Sequence, residues 1–430
     1  MTDWRAACPW FWCDEDPQGE PPEVDMTNGG SVYASLGISG VFTMGSFDGQ
    51  EEGVMTAGSW GRWVSFGNPT YTNRATGKIR TACVVALNDL RPVGVSRQSG
   101  NSEAAEWGAS LDLAKIQTGG TVTHNSQIAY MYGPCLLIGR GNDGRMVPLI
   151  LGNSIDYSND ESPAVADSRG NMGFWQRGFD DSSIGLPYGN LAVPGSRTGQ
   201  QASRLAGAFQ RRAEMLLSVE TGVPFDVAVA GDENSALNDS VEWRRTIDGF
   251  ADFINDTFGM PFAHRTMLPK VSYAGNGRAA LADQTAAVDK RVETGNDLIS
   301  RPGNYPTFQI GEVFRDVAAP AKWKEHPFTA TVVGTYNGSG SIVLTARPAN
   351  GTALIFGDGT AGVAVRMVNT TSANGGNWNV SCTTNPPAQA ADAVVKAMYT
   401  DGDGVHPTSD AINSLSAPAV VTAAAALMRR

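Results

Sequence analysis

The sequence predicts an α/β protein in which a parallel sheet is joined to β-rich regions. From Met146 onward, apolar runs such as MVPLILG alternate with segments whose apolar residues recur every three or four positions. That alternation is typical of buried parallel strands and their crossover helices. Before Met146, short apolar runs are separated by Gly, Asn and Ser clusters without helical periodicity, which indicates antiparallel β structure. The 430 residues suffice for roughly two to four domains.

The part that precedes the α/β pattern divides in two. Residues 1–30 are rich in Pro, Asp and Glu, and they are predicted to form an extended N-terminal arm. Residues 31–145 contain short apolar runs, for example at 79–87 and 128–139, that are bounded by turn-forming residues. Such spacing predicts a β-sandwich-like domain, with a β-barrel as the alternative.

The first part of the α/β domain is predicted over 146–327. Its predicted strands lie at 146–152, 191–195, 225–231 and around 261–269. Between them, 199–218 and 241–259 place their apolar residues on one helical face. Strands that alternate with helices predict a parallel sheet with right-handed crossovers. Residues 270–325 are predicted to be rich in loops, with one or two helices.

The C-terminal third returns to β character before the α/β pattern resumes. Residues 328–385 contain apolar runs around NGSG and GDG turns, so they are predicted to form a small β module inserted in the α/β domain. The domain is predicted to resume over 386–430, beginning with AADAVVKAMY (390–399). A terminal helix is expected over 409–427, kinked or broken at Pro418.

Charge and hydropathy exclude several classes of protein. The net charge of −11 disfavours a nucleic-acid partner, because an acidic chain repels the phosphate backbone. No run of about 18 apolar residues occurs, so no membrane span is expected. The N-terminus lacks a basic start followed by an apolar stretch, so no signal peptide is expected and synthesis in the cytoplasm is predicted.

The five cysteines are scattered and form no CxxC pair, so neither a zinc ribbon nor a disulfide scaffold is predicted. Cys8 and Cys13 are close enough in sequence to pair, although free thiols are the favoured state. His124, His264 and His326 are isolated and are interpreted as structural or exposed residues. The sequence therefore predicts no metal site and no cofactor.

Ser154 and His406 are the candidate catalytic residues. A serine hydroxyl needs a base beside it, and histidine is the usual one, with a carboxylate that fixes its tautomer. Ser154 follows a buried strand, and ligands of open parallel sheets bind at the carboxyl ends of the strands. His406 follows Asp403 by three positions in a tight turn, so Asp403 is the predicted partner, with Asp401 as the alternative.

Donors for a developing oxyanion are also predicted at strand ends. The backbone N–H groups of Ser154 and Gly195 and the side-chain amide of Asn234 could converge there. Asn238, in the dipeptide Asn-Asp, is the rival for the amide.

Four short blocks in this order resemble those of the SGNH (GDSL-like) hydrolases. The blocks are Gly152-Asn153-Ser154-Ile155, then Gly195, then Asn234, then Asp403 to His406. The resemblance implies a flavodoxin-like three-layer sandwich and metal-free ester hydrolysis, with Ser154 as nucleophile, His406 as base and Asp403 as its partner. It also implies an oxyanion hole made by Ser154, Gly195 and Asn234. Asn153 stands where the family usually has aspartate.

Two other features have ordinary structural explanations. The GxGxxG pattern at 139–144 precedes a predicted strand, whereas a dinucleotide site needs it between a strand and a helix, so a hairpin turn or a link is predicted. Trp10, Trp12, Trp60 and Trp63 could stack on sugars, but packing in a core or an interface is the favoured interpretation.

The leading functional hypothesis is an esterase that removes O-acyl groups, and in particular O-acetyl groups, from a polysaccharide through an acyl-enzyme. The alternative is a structural or adhesive component of a phage-like particle. Such a component would bind surface glycan outside the cell after lysis, with a weakly active or inactive site. Homo-oligomerisation or attachment to the particle through the N-terminal region would favour it.

Overall fold

The structure of the chain is a computed structural model. It describes residues 2–13, 23–68, 77–85, 95–96, 106, 110–122, 130–141, 143–157, 173–202, 209–273, 284–301, 306–357, 363–400 and 406–428.

The N-terminal region is β-rich, as predicted. Its elements are β1 (Thr2–Pro9), β2 (Phe11–Cys13), β3 (Glu23–Asp25), β4 (Gly30–Ile38), β5 (Val41–Met44), β6 (Gly53–Met55), β7 (Gly61–Gly67), β8 (Gly77–Val84), β9 (Val95–Ser96), helix α1 (Leu113–Gln117), β10 (Tyr130–Met131) and β11 (Leu136–Arg140). One sheet has the order β11-β1-β7, and a second contains β4 paired with β5, β6 and β8. Buried side chains of β1, β4 and β7 form a common core between the two sheets.

The prediction of an extended arm over 1–30 is wrong for the residues that the structure describes. β1 is the middle strand of its sheet and pairs antiparallel with both β7 and β11. Ala6 and Cys8 point into the β core, whereas Ala7 points into the core of the α/β region. A strand buried on both faces follows from the apolar residues in this segment, while most of the Pro, Asp and Glu residues fall in 14–22, outside the described residues. Cys8 is a free thiol, as expected.

Three tryptophans of this region pack in or against a core. Trp10 is fully buried, and its Nε1 donates to the carbonyl of Asn28 at 2.9 Å. Trp60 and Trp63 meet edge to face, with ring centroids 5.8 Å apart, against the α/β core. The side chain of Trp12 lies outside the described residues.

The α/β region is built on a five-stranded parallel sheet. Its elements are β12 (Pro148–Ile150), α2 (Ser154–Tyr157), α3 (Phe174–Phe179), β13 (Gly189–Asn190), α4 (Thr198–Ala202), α5 (Gln210–Leu217), β14 (Val227–Ala230), α6 (Ser240–Phe258), β15 (Phe262–Arg265), β16 (Val271–Tyr273), β17 (Gln284–Ala286), α7 (Arg291–Ser300), β18 (Thr307–Phe308) and a 3₁₀ turn (Gly311–Phe314). The sheet order is β13-β12-β14-β15-β18, and every pair is parallel. This order is that of flavodoxin-like sheets, which confirms the predicted parallel α/β architecture.

Helix α6 shows how local sequence sets these elements. The side chain of Asp239 accepts from the N–H groups of Val241 and Glu242 at 2.8 and 3.2 Å, which caps the start of the helix. Gly259 ends it with a φ of +67°, a conformation that glycine adopts without strain. The predicted helix at 241–259 is therefore confirmed.

One predicted strand is displaced. The segment 191–195 was expected to be a strand, but regular pairing is confined to β13, just before it. Pro194 has no N–H to donate and Gly195 has a φ of +82°, so the chain leaves the sheet there as a loop.

Residues 329–398 form a separate antiparallel sheet. Its strands are β19 (Thr329–Thr331), β20 (Ile342–Leu344), β21 (Ala353–Gly357), β22 (Val363–Asn374), β23 (Asn377–Cys382) and β24 (Val394–Met398), in the order β19-β24-β21-β22-β23-β20. The predicted return to α/β structure at 390–399 is wrong, because β24 pairs with β19 and β21 in this sheet. Its residues alternate, with Val395 and Ala397 buried and Val394 and Lys396 exposed, which is a strand pattern.

The chain ends in helical structure close to the predicted position. The elements are α8 (Ser409–Ala411), a π-helical turn (Ile412–Ser416) and α9 (Ala417–Leu427). Pro418 lies in the first turn of α9, a position that tolerates a residue without an N–H. The π-helical turn just before it is the irregularity of the helix near the predicted kink. None of the helices in the described part of the chain has the length and apolar character needed to cross a bilayer.

Helices cover both faces of the parallel sheet. Leu149 and Leu151 pack with α5, α6 and α7 on one face, whereas Ile150 packs with α3 and α9 on the other. Successive side chains of β12 therefore enter different cores, which gives three layers and leaves the carboxyl ends of the strands as the place for a site.

Candidate active site

The turn after β12 presents Ser154 at the carboxyl end of the sheet. Gly152 has a φ of +110°, and a Cβ on it would collide with the carboxylate of Asp156, so only glycine fits. The side chain of Asn153 accepts from the N–H of Ile155 at 2.9 Å. Ser154 is the first residue of α2 and is half-buried. The local sequence thus fixes the direction of the Ser154 side chain.

The structure brings His406 to Ser154, which is 252 positions away in sequence. The His406 Nε2 atom lies 3.0 Å from the Ser154 Oγ atom, within hydrogen-bond distance. The loop that carries His406 is closed by a bridge between Thr400 and Pro407. Asp403, the predicted partner of the histidine, and Asp401, its alternative, lie outside the described residues.

The Gly195 loop is held against the turn of Ser154. The N–H of Val193 donates to the carbonyl of Gly152 at 3.1 Å. Among the described residues, none accepts a hydrogen bond from the backbone N–H of Ser154 or of Gly195. Neither N–H is therefore occupied by the described part of the chain, as an oxyanion hole would require.

Asn234, and not Asn238, lies against the Gly195 loop. The amide of Asn234 donates to the carbonyl of Ser196 at 3.1 Å, next to Gly195. Asn238 is exposed and lies just before Asp239, the residue that caps α6. The structure therefore places three of the predicted donors, Ser154, Gly195 and Asn234, on neighbouring segments.

Beneath Ser154 lies a buried ion cluster that the sequence analysis missed. Arg265 stands between Asp156 and Glu233, and all three side chains are essentially inaccessible to solvent. Its Nε donates to Asp156 at 2.7 Å, and one of its terminal nitrogens donates to Glu233 at 2.7 Å. The available signal was a charged residue inside the apolar run at 261–269, because a buried charge must find a partner.

Asn153 connects this cluster to the serine turn. Its Nδ2 donates to Glu233 at 2.8 Å, in an environment without solvent access. Burial acts to raise the pKa of Glu233, but the Arg265 guanidinium and the Asn153 amide hold it at about 2. The carboxylate is therefore ionised at neutral pH and orients Asn153.

His264, on β15, is a buried structural residue, as expected. Neither of its ring nitrogens has a hydrogen-bond partner in the described part of the chain, and the side chain is fully buried. Burial, reinforced by the positive charge of Arg265, lowers its pKa to about 3. The neutral ring is thus the form that the fold accommodates.

We expect His264→Leu to reduce the loss of stability at acid pH. Between its unfolded pKa of about 6.5 and the folded value of about 3, the unfolded chain binds a proton that the folded chain excludes. Stability of the wild type is therefore lost as the pH falls below about 6.5. Urea unfolding at pH 7.5 and 5.5 should show the variant gaining about 1.4 kcal/mol on the wild type over this interval. A difference that does not change with pH would contradict this.

His326 is also structural. Its Nε2 lies 2.7 Å from Asp410, and its Nδ1 accepts from the N–H of Phe328 at 3.0 Å. Because Nδ1 accepts, the proton of the neutral ring is on Nε2 and is donated to Asp410. His124 lies outside the described residues.

The remaining sequence motifs contribute nothing to this site. Gly139 and Arg140 end β11, and the next element is β12, so the GxGxxG pattern opens no helix. Among the described residues, no three His, Cys, Asp or Glu side chains are placed to hold a metal ion.

The fold and the pairing of Ser154 with His406 define a three-layer α/β protein with a candidate serine–histidine site. No family model and no curated protein matches the sequence. Among solved structures, the chain is similar to a possible lipase from Chitinophaga pinensis DSM 2588, with 12% identity, coverage of 66% of this chain and 97% of that chain, and a TM-score of 0.32.

Two further structures are similar over smaller parts of the chain. A proposed SGNH hydrolase from Slackia heliotrinireducens has 11% identity, with coverage of 43% of this chain and 91% of that chain and a TM-score of 0.26. The lipase/acylhydrolase from Enterococcus faecalis has 13% identity, with coverage of 41% and 86% and a TM-score of 0.24.

Proposed function

We propose that the chain is a serine ester hydrolase that removes O-acyl groups, most simply O-acetyl groups, from carbohydrates. The observation that carries the proposal is the 3.0 Å separation of Ser154 Oγ and His406 Nε2 at the carboxyl end of the sheet. A serine hydroxyl is a weak nucleophile until a base accepts its proton, and this geometry supplies the base.

The reaction would proceed in two acyl transfers. In the first, Ser154 Oγ attacks the acyl carbon while His406 takes its proton, and the imidazolium then returns the proton to the departing alcohol. In the second, water attacks the acyl-serine with His406 again as base, which releases the carboxylic acid. The N–H groups of Ser154 and Gly195 and the amide of Asn234 would stabilise the oxyanion, at about 3–4 kcal/mol for each donor.

The carbohydrate substrate is the finer part of the proposal. The antiparallel sheet of 329–398 leads directly into the loop that carries His406, so it would stand beside a long substrate near the reacting ester. The particle-associated alternative has less support, because β1 is an interior strand and not a free arm for attachment.

Covalent labelling tests the proposed nucleophile. We expect an organophosphonate ester to add once to the wild-type chain, on the peptide that contains Ser154, and a chromogenic acetate to be hydrolysed. Because His406 would activate the serine, His406→Asn should slow labelling by at least ~10²-fold. Labelling of another serine, or equal rates for both proteins, would overturn the proposal.

The glycan substrate is tested by proton NMR on acetylated polysaccharides. A deacetylase releases acetate and lowers the acetyl signal of the polymer. A purely adhesive protein would bind the glycan and leave its acetyl content unchanged, and that result would favour the alternative function.

A further inference from the structure

Arg197 and Gln201, at the start of α4, each have a buried side-chain atom without a hydrogen-bond partner in the described part of the chain. One is the Nε donor of Arg197, and the other is the Oε1 acceptor of Gln201, a residue that is only 1% exposed. An unsatisfied buried polar group costs about 1–3 kcal/mol. A pair that consists of one donor and one acceptor therefore indicates a ligand with complementary groups.

The two residues are spaced as neighbours on one helical face, and the Gln201 side chain reaches the turn after β12. The N–H of Gln201 donates to the carbonyl of Arg197 at 3.1 Å, so the two residues have the helical spacing that puts side chains on the same side. The Nε2 of Gln201 donates to the carbonyl of Gly152 at 3.2 Å, close in sequence to Ser154. Arg197 itself follows Gly195 closely along the chain.

Within the described residues, Arg197 lacks the carboxylate partner that comparable arginines have. Arg211 is paired with Asp25 at 2.6 Å, and Arg212 is paired with Glu23 at 2.6 Å. Arg265 has the two carboxylates described above. The half-buried Arg197, in contrast, has no carboxylate contact among the described residues, although the start of its helix is held by a hydrogen bond of 3.1 Å from Thr198 N–H to Asp232.

We propose that Arg197 and Gln201 form a subsite for a free hydroxyl group on the sugar ring that carries the ester. A hydroxyl can accept from the Arg197 Nε–H and donate to the Gln201 Oε1 at the same time. A carboxylate or a phosphate dianion cannot donate to Oε1, so the chemistry favours a neutral polyol. This inference rests on the proposed function and narrows it to partly acylated sugars with a neighbouring free hydroxyl.

The test compares two substrates in two variants. The measured quantity is kcat/KM for a mono-acetylated methyl glycoside divided by kcat/KM for a chromogenic acetate. We expect Arg197→Met to lower this ratio by about 10- to 100-fold. The reason is that only the glycoside offers a hydroxyl to the subsite. Arg197→Lys, which keeps the charge and most of the length, should lower the ratio by less and serves if the methionine variant does not fold.

Arg245, an exposed residue on α6, provides the matched control, and Arg245→Met should leave the ratio as in the wild type. A ratio that is the same in Arg197→Met and wild type would overturn the inference. It would mean that only water binds to the Arg197 Nε and Gln201 Oε1 atoms. Failure of the wild type to hydrolyse either ester would instead overturn the proposed function, so the two failures are distinguishable.

Discussion

Replacing Ser154 by alanine is expected to lower kcat/KM for ester hydrolysis by about 10⁴-fold or more. The reason is that the acyl-enzyme route needs an oxygen nucleophile within reach of His406, and Ser154 Oγ is 3.0 Å from its Nε2. The oxyanion donors would remain in the variant, so some rate above that of the uncatalysed reaction is expected to persist. The measurement is steady-state hydrolysis of a chromogenic acetate by purified wild type and variant.

Three further variants make this result specific: Ser59→Ala, the single variant His406→Asn, and the double variant Ser154→Ala/His406→Asn. Ser59→Ala alters a partly buried serine whose hydroxyl donates to the carbonyl of Thr56 in the N-terminal region, so its rate should equal that of the wild type. If Ser154 and His406 act as one unit, the double variant Ser154→Ala/His406→Asn should be no slower than either single variant. Equal activity of wild type and Ser154→Ala would exclude the mechanism, and additive losses would exclude the joint action of the pair.

Much of this site could be predicted because parallel sheets gather their strand ends at one edge. Ser154 and Asn234 each follow a buried apolar run, and buried runs of that kind are readable in a sequence. The tight turn from Asp403 to His406, as the last of the four blocks in the chain, predicts His406 as the base. The structure brings His406 to Ser154. The choice between Asn234 and Asn238 needed coordinates, because it depends on which side chain reaches the carbonyl of Ser196.

The ion cluster could not be predicted, because its members come from three separate segments. Arg265 is on β15, Asp156 is in α2, and Glu233 is in the loop after β14. The sequence shows only that each charge lies in or beside an apolar run. Which charge faces which depends on strand order and register, and neither is encoded locally.

Two predictions failed because local composition was weighed above long-range pairing. Residues 1–30 contain acidic residues and prolines that suggest an arm, yet β1 pairs with strands that begin near Gly61 and Leu136. AADAVVKAMY has helix-forming residues, but the neighbouring strands β19 and β21 impose an extended conformation on Val394–Met398. Tertiary context overrides weak propensity in both cases.

Asn153→Asp is expected to destabilise the fold by about 3–5 kcal/mol at pH 8. An aspartate would place a carboxylate oxygen where the Asn153 Nδ2 now donates to Glu233 at 2.8 Å, without solvent access. Arg265 already pairs with two carboxylates, Asp156 and Glu233, so a third carboxylate would have to share the same guanidinium. On this argument, the glutamate beside position 153 accounts for an asparagine, and not an aspartate, at that position.

The pH dependence of this variant has a definite sign. We expect repulsion from Glu233 to raise the pKa of the new aspartate in the folded chain above its unfolded value of about 3.9. Stability is then lost as the pH rises from the unfolded pKa to the folded pKa, and the loss is complete above the folded pKa. Urea unfolding should therefore show a smaller deficit relative to wild type at pH 5 than at pH 8. Asn190→Asp is the matched control, because Asn190 also accepts a backbone N–H, from Ala192 at 3.0 Å, and it should cost less than about 1 kcal/mol.

The double variant Asn153→Asp/Glu233→Gln separates charge repulsion from loss of shape. It exchanges the positions of amide and carboxylate, so the new amide at position 233 can donate to the new carboxylate at position 153, and the number of buried negative charges returns to that of the wild type. At least half of the lost stability should be recovered, which would appear as a coupling energy of about 1.5 kcal/mol or more in a double-mutant cycle. Additive destabilisation would show that Asn153 is required for its shape in the serine turn, and the electrostatic explanation of this residue would then be wrong.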